Sequence, residues 1–281
     1  MKILITGANG QLGTELSKIL PNALLTDFKD LDITDSCAVN DFIKKNKVET
    51  IINCAAYTAV DDAEDNFLQA RQINAFGPRN LASTGCKLIH ISTDYVFDGK
   101  ANTPYAPKDL TNPQSVYGLT KRMGEMYVMN NAEKYVILRT AWLYSPYGKN
   151  FVKTMRRLGA EKDSIGVVCD QIGTPTYAAD LAEAIVMIMP QIHKKNSGVY
   201  HYTNLGQCSW YDFACEIMKM SGLKCQVNPI KTSEFPTKAV RPQYSVLNKN
   251  QTIQMFDITI PQWQEALKRC IKEIERQSIK G

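Results

Sequence analysis

The chain has 281 residues, 44% hydrophobic and 22% charged, with a formal net charge of +5. That balance excludes a disordered, fibrous or low-complexity protein and provides for a sizeable core, in one large domain or in a cofactor-binding domain with a smaller partner. The basic residues are spread out; the densest clusters, Lys44, Lys45 and Lys47, and Lys153, Arg156 and Arg157, read as solvated helix faces and not as a nucleic-acid patch, while the mild positive balance suits an anionic small molecule such as a dinucleotide.

In chain order, short apolar runs rich in β-branched residues alternate with longer amphipathic segments, as in a parallel sheet covered by helices. The first strand, 2–6, runs into Gly7-Ala8-Asn9-Gly10-Gln11-Leu12-Gly13 and a helix over 11–20. Glycines at such a junction let the backbone turn tightly and approach a pyrophosphate, which rests on the helix amino-terminal dipole. A glycine triplet alone also fits a structural turn; its place at the first strand-to-helix junction of an alternating pattern points to a dinucleotide site. The second strand, 24–27, ends on Asp27, where a carboxylate can accept hydrogen bonds from an adenosine ribose and favour NADH. Lys29 offers a countercharge to the 2′-phosphate of NADPH, so both cofactors stay open, and Asp30, Asp32 and Asp35 keep a merely solvated acidic loop as the bland alternative.

A helix over 35–45, a strand at 50–54, a helix over 60–83 and a strand at 87–92 follow. Ligands in such sheets bind at the carboxyl ends of the strands, so the hydroxyl of Thr93 is expected to face the nicotinamide and bind a substrate carbonyl; turn capping by Thr93 or Asp94 is the alternative. The next helix, 113–131, carries Tyr117 and Lys121. Residues four apart share one helix face, and an ammonium beside a phenol is expected to draw its pKa of about 10 toward the working range of a general acid. A strand at 135–139 completes the regular part. Beyond residue 142 the order weakens, with strands at 164–168 and 199–202, helices over 178–189, 209–220 and 261–276, and a breaker-rich stretch at 228–242 read as loop-rich substrate-domain sequence. The expected fold is α/β, a Rossmann-type doubly wound parallel sheet with a smaller, discontinuous substrate domain: residues 1–145 and 164–222 bind the dinucleotide, and 146–163 and 223–281 bind substrate.

Cysteines 37, 54, 86, 169, 208, 215, 225 and 270 form no CxxC pair, and histidines 90, 193 and 201 show no metal-ligand spacing with them. Free thiols in a reducing compartment are expected, with no zinc site. The apolar start is too short for a signal sequence and no run reaches membrane-spanning length, so a cytoplasmic protein with neither membrane nor nucleic-acid partner is expected.

Residues 5–13, 31–33 (LDI), 53–61 (NCAAYTAVD), 92–99 (STDYVFDG), 116–121 (VYGLTK), 139–144 (RTAWLY), 170–177 (DQIGTPTY) and Arg241-Pro242 together resemble the extended short-chain dehydrogenases/reductases and, within them, the dTDP-4-dehydrorhamnose reductase family, over nearly the whole chain. Single pieces are shared with sugar epimerases. The resemblance implies reduction of the C4 ketone of dTDP-4-dehydro-L-rhamnose by NADPH or NADH, in nucleotide-sugar and cell-surface polysaccharide synthesis. It implies that Gly10, Gln11 and Leu12 hold the pyrophosphate, that Asp32 and Ile33 border the adenine, and that Ala56, Tyr57 and Thr58 line the middle of the cofactor, beside Gly7, Gly13 and Asp27, which the glycine loop and the second strand already assign to it. Tyr117 would give the proton, Lys121 would bind the nicotinamide ribose, Thr93 and Asp94 would meet the sugar, and Trp142 and Arg241 would join them; without the resemblance Trp142 reads as core. Some members bind magnesium between subunits through glutamates. Glu15 stands where the first would be, but the others have no evident counterpart in this carboxyl terminus, so no metal ligand is assigned and a homodimer is left open. Two rivals are a non-catalytic NADP-binding subunit like that of methionine adenosyltransferase and an epimerase that retains NAD.

Overall fold

A strand buried on both faces must read as a continuous apolar run, and β1 (Ile3–Thr6) and β3 (Thr50–Asn53) do so, with Leu4, Ile5, Ile51 and Ile52 fully buried. The computed structural model describes residues 2–280, the last two by backbone only; Met1 and Gly281, the outer ends of the expected division, lie outside them. β1 is followed by α1 (Gln11–Ile19), β2 (Leu24–Thr26), α2 (Ser36–Asn46, capped by Asp35) and β3. Then come α3 (Val60–Ala63), α4 (Phe67–Arg71), α5 (Gly77–Ala82), β4 (Lys87–Thr93), α6 (Val116–Asn131) and β5 (Tyr135–Thr140). The one helix expected over 60–83 is therefore broken. Its third piece, Gln72–Phe76, is a wide π-type turn just before Pro78, which has no amide hydrogen to give to the carbonyl four residues back. Asn74 in that turn reaches out instead: its amide bonds Tyr57 N (2.8 Å), Tyr57 O (3.1 Å) and Thr120 Oγ1 (3.1 Å), tying the loop after β3 to α6.

The rest of the chain forms β6 (Leu143–Tyr144), α7 (Phe151–Glu161), β7 (Ser164–Val168), β8 (Ile172–Gly173), β9 (Thr176–Tyr177), α8 (Ala178–Ile188), β10 (Gly198–His201), β11 (Cys208–Ser209), α9 (Trp210–Met220), β12 (Gln226–Ile230), α10 (Asn250–Phe256) and α11 (Trp263–Lys280). The main sheet has six parallel strands in the order β2-β1-β3-β4-β5-β10. Its direction of winding reverses beside β1, which leaves a crevice at the carboxyl ends of β1 and β3, as the expected doubly wound fold requires. Helix α8 packs against α1 on one face, and Leu12, Leu16, Leu181 and Ile185 fill the core between them and the sheet.

A second core lies apart from the sheet. Here α7, α9 and α11 surround a two-stranded parallel sheet of β7 and β12, with Val152, Ile165, Val167, Phe213, Ile217, Trp263 and Leu267 buried together. Residues 164–168 and 210–220, expected with the dinucleotide half, pack in this second body. The reason is visible in β7, where only Ile165 and Val167 are buried and Ser164 and Gly166 are exposed: a strand with one apolar face cannot sit inside a sheet covered on both sides. The last three residues of β12 fall in the stretch expected to be loop, and the strand accommodates Pro229 because a two-stranded sheet leaves an edge where no amide donor is needed. All eight cysteines are unpaired, and among the described residues no helix is long and apolar enough to cross a membrane.

Candidate active site

The glycine loop closes one end of the crevice. Gly7 adopts φ +65°, and a Cβ there would stand 2.7 Å from the Ala55 backbone; at Gly13 it would stand 2.4 Å from Gly7 O. Both glycines thus let α1 and β3 approach β1 closely. Gly10 differs, because its Cβ would meet only Gly7 O, at 3.3 Å, and so its open side faces the cleft. This is the cradle a pyrophosphate needs at a helix amino terminus. Asp27 stands beside it, half-buried, accepting from Asn9 N (3.1 Å) and Phe28 N (2.8 Å).

From there a cleft of about 960 Å³ runs along the carboxyl edge of the sheet. Gly7, Gly10, Gln11, Leu12, Gly13, Asp27, Asp32, Ile33, Ala56 and Thr58 line its first part, and Thr93, Asp94, Tyr117, Lys121 and Trp142 its second. Two expected residues stand outside that wall. Tyr57 lies between Ala56 and Thr58, but its hydroxyl is taken by Asp62. Arg241 forms an ion pair with Asp61 and donates from Nη1 to Tyr95 Oη at 3.0 Å, so its guanidinium pins the segment after β12 to α3 behind the cleft.

Helix α6 starts at Val116 because Ser115 accepts from Gly118 N at 3.1 Å, an N-cap that leaves Pro113 before the helix. A Cβ at Gly118 would fall 2.2 Å from Tyr95 O, so the helix bearing Tyr117 and Lys121 lies against the turn that follows β4. The ring of Tyr117 meets that of Tyr95 edge-on at 5.5 Å. Burial pushes the Tyr117 phenol above its ordinary range, Asp94 and Tyr95 add to this, and only the hydrogen bond with Thr93 acts the other way. Lys121 does not depress it, contrary to the expectation from their spacing. Its ammonium donates to Ile91 O at 2.6 Å, and burial brings its pKa down to about 8 against the opposing pull of Glu125 and Cys54. The Thr93 hydroxyl donates to Asp94 Oδ1 at 3.0 Å and accepts from Tyr95 N at 3.2 Å. Asp94 is 2% exposed, and burial raises its carboxyl to about 6 despite the bonds it receives from Ser245 and Thr93. At neutral pH the site therefore holds a protonated phenol beside a hydroxyl that is already oriented.

Trp142 takes φ +48° and stacks on Trp210, with ring centroids 3.5 Å apart. Trp210, Lys149 and Tyr95 also line the cleft and were not anticipated. The spacing of Trp210 and Lys149 to any motif carries no signal; Tyr95 could have been found as the residue next to Asp94. Glu15 is buried and already paired with the Lys18 ammonium (2.8 Å), and among the described residues no three acidic, His or Cys side chains gather to hold a metal ion. No step is assigned to a metal ion.

A crevice at the switch point of a parallel sheet, a glycine cradle and a Tyr and Lys one turn apart on α6 define an extended short-chain dehydrogenase/reductase. Residues 1–276 match the family described as RmlD substrate binding domain, and the chain belongs to that family. It is 41% identical to the dTDP-4-dehydrorhamnose reductase of Aggregatibacter actinomycetemcomitans, over 95% of this chain and 97% of that protein. Its fold is similar to the crystal structure of a dTDP-4-dehydrorhamnose reductase from Clostridium acetobutylicum ATCC 824, with TM-score 0.93, 48% identity, and 98% of this chain and all of that one covered. It is likewise similar to the enzyme of that name from Bacillus anthracis str. Ames in complex with NADP, with TM-score 0.90, 44% identity, and 97% of this chain and all of that one covered.

Proposed function

We propose that this protein reduces the C4 ketone of dTDP-4-dehydro-L-rhamnose, with NADPH or NADH, to give dTDP-L-rhamnose for cell-surface polysaccharide. The observation that carries the reading is the convergence of Thr93, Tyr117 and Lys121 in the same cleft that the glycine loop closes. We assign the pyrophosphate to the backbone of Gly7, Gly10, Gln11, Leu12 and Gly13, the adenosine to Asp27, Asp32 and Ile33, and the middle of the cofactor to Ala56 and Thr58, with Tyr57 acting through its backbone. The bound dinucleotide supplies the hydride.

The proton is the protein's contribution. Tyr117 is kept neutral by burial, which is the form a donor to the ketone oxygen must have, so the elevated phenol pKa serves reduction directly. Thr93 donates a hydrogen bond to Asp94, and its hydrogen bond with the phenol favours ionisation against the effect of burial, placing the two hydroxyls side by side. Lys121 binds the nicotinamide ribose. We assign the sugar to Thr93, Asp94 and Trp142, and give Arg241 the task of holding Tyr95. The second body, built on β7, β12, α7, α9 and α11, is assigned to the nucleotide-sugar substrate and the six-stranded sheet to the cofactor. The unpaired thiols support a cytoplasmic setting.

The test incubates the purified protein with the keto-sugar and reduced cofactor. One cofactor oxidised per sugar reduced is expected. Tight cofactor binding without turnover would turn the reading to a non-catalytic subunit, and sugar interconversion without net cofactor consumption to an epimerase.

A further inference from the structure

Behind the cleft wall, α6 carries a carboxylate that the chemistry above leaves unused. Glu125 is fully buried and lies one helical turn beyond Lys121 on the same face. Its Oε1 accepts from Ser92 Oγ (2.6 Å) and Arg139 Nε (2.7 Å), and its Oε2 from Arg139 Nη2 (2.8 Å) and Arg122 Nη1 (3.1 Å). Arg139 is 2% exposed; its Nη1 donates to Pro107 O and its guanidinium covers the ring of Phe97 at 4.9 Å. A buried ion pair is often no more stable than well-packed apolar residues of the same volume, so stability is a weak reason to have one here. Its position offers a better one. Ser92 stands between Ile91, whose carbonyl takes the Lys121 ammonium, and Thr93, whose hydroxyl faces Tyr117. Residues 91–93 of β4 are thereby held to α6 at two points, by Lys121 and by Glu125.

We propose that Glu125, braced by Arg139, is a positioning residue of the reductive centre: it offers Lys121 a carboxylate one helical turn away on the same face and, through Ser92, fixes Thr93 on β4 against Tyr117 on α6. The inference rests on the reading of Lys121 as the ribose ligand. The groups facing Lys121 from its other neighbours do less of this work. Cys54, after β3, is a buried thiol pushed up to about 12 and so uncharged, and His90 on β4 is held neutral by burial and by Lys121 itself. Glu125 is the larger of the two groups that draw the lysine upward against its burial, Cys54 being the smaller.

Glu125→Gln alone would leave the Arg139 guanidinium buried without a counterion, a change expected to destabilise the fold. The informative variant is Glu125→Gln with Arg139→Gln, which replaces the ion pair by two amides. Cofactor affinity is followed against pH by calorimetry, with folding checked by circular dichroism. Wild-type affinity should decline as pH rises through the titration of Lys121. In the double variant that limb should move down by about one pH unit, so that the cofactor binds about tenfold more weakly on the alkaline side and within about twofold of wild type at pH 6. Ser92→Ala keeps the charge and removes only the brace, so it should lower kcat while leaving the limb in place, and it decides the matter if the double variant does not fold. A folded double variant with the wild-type limb, or Ser92→Ala with wild-type kcat, overturns the proposal. Lys121→Met separates the two readings: if it binds cofactor as wild type does, the assignment of Lys121 itself fails and the role of Glu125 falls with it.

Discussion

The two walls of the cleft are built in different ways. One is compact in sequence: Thr93 ends β4, and Tyr117 and Lys121 share one face of α6. The other is gathered from afar, since Trp142 follows β5, Lys149 precedes α7 and Trp210 opens α9. The first wall is fixed by helical spacing and by hydrogen bonds measured above. The second depends on packing for its side chains, with the Trp142 indole caught between Trp210 and Gly173, where a Cβ would lie 2.5 Å from the ring. Groups that move protons thus sit on rigid, local geometry, while the groups assigned to the sugar sit where one side chain sets the position of the next.

That contrast makes the walls separable by mutation. The largest effect belongs to the first. Tyr117→Phe keeps the ring and its edge contact with Tyr95 but removes the proton donor, so kcat should fall by about two to four orders of magnitude with cofactor affinity nearly unchanged. Steady-state kinetics and calorimetry check both halves. Next is the cradle that both walls share. Gly10→Val meets little protein but projects into the space assigned to the pyrophosphate, so cofactor affinity should weaken at least about tenfold, equal to roughly 1.4 kcal/mol, while circular dichroism still reports a folded chain. Unchanged affinity would remove the pyrophosphate from this loop. The smallest effect belongs to the second wall. Gly173→Ala should push the Trp142 indole off its stack, raise KM for the nucleotide sugar about three- to tenfold and leave cofactor affinity alone, because a displaced packing partner costs about 1 kcal/mol in binding. Near-ultraviolet circular dichroism reports the stack, and a fall in kcat comparable to that of Tyr117→Phe would erase the distinction between the walls.

The same contrast explains what could be read from the sequence. The glycine loop, the first five strands and the Tyr117–Lys121 pair declare themselves because each is a local pattern: a turn that needs φ above zero, an apolar run, a spacing of four. The ionisation of Tyr117 did not follow from spacing, because burial and Asp94 act on it and the Lys121 ammonium turns to Ile91 O. Trp210 and Glu125 were invisible for a related reason. A tryptophan opening a helix and a glutamate inside one acquire meaning only from partners distant in the chain, Trp142 and Arg139. The placement of β7 outside the main sheet is legible in the one-sided alternation of Ile165 and Val167, which contrasts with the unbroken apolar runs of the central strands.

The central claim is that this cleft delivers a hydride and a proton to one ketone. It is tested most directly by supplying cofactor with both hydrogens at the reactive carbon of its nicotinamide replaced by deuterium, together with dTDP-4-dehydro-L-rhamnose, and locating the label in the product by NMR. The account predicts one deuterium at C4 of the sugar for each cofactor oxidised, with the label lost from neither product nor cofactor to water. Oxidised cofactor without deuterium at C4, or reduced sugar without oxidised cofactor, would contradict it.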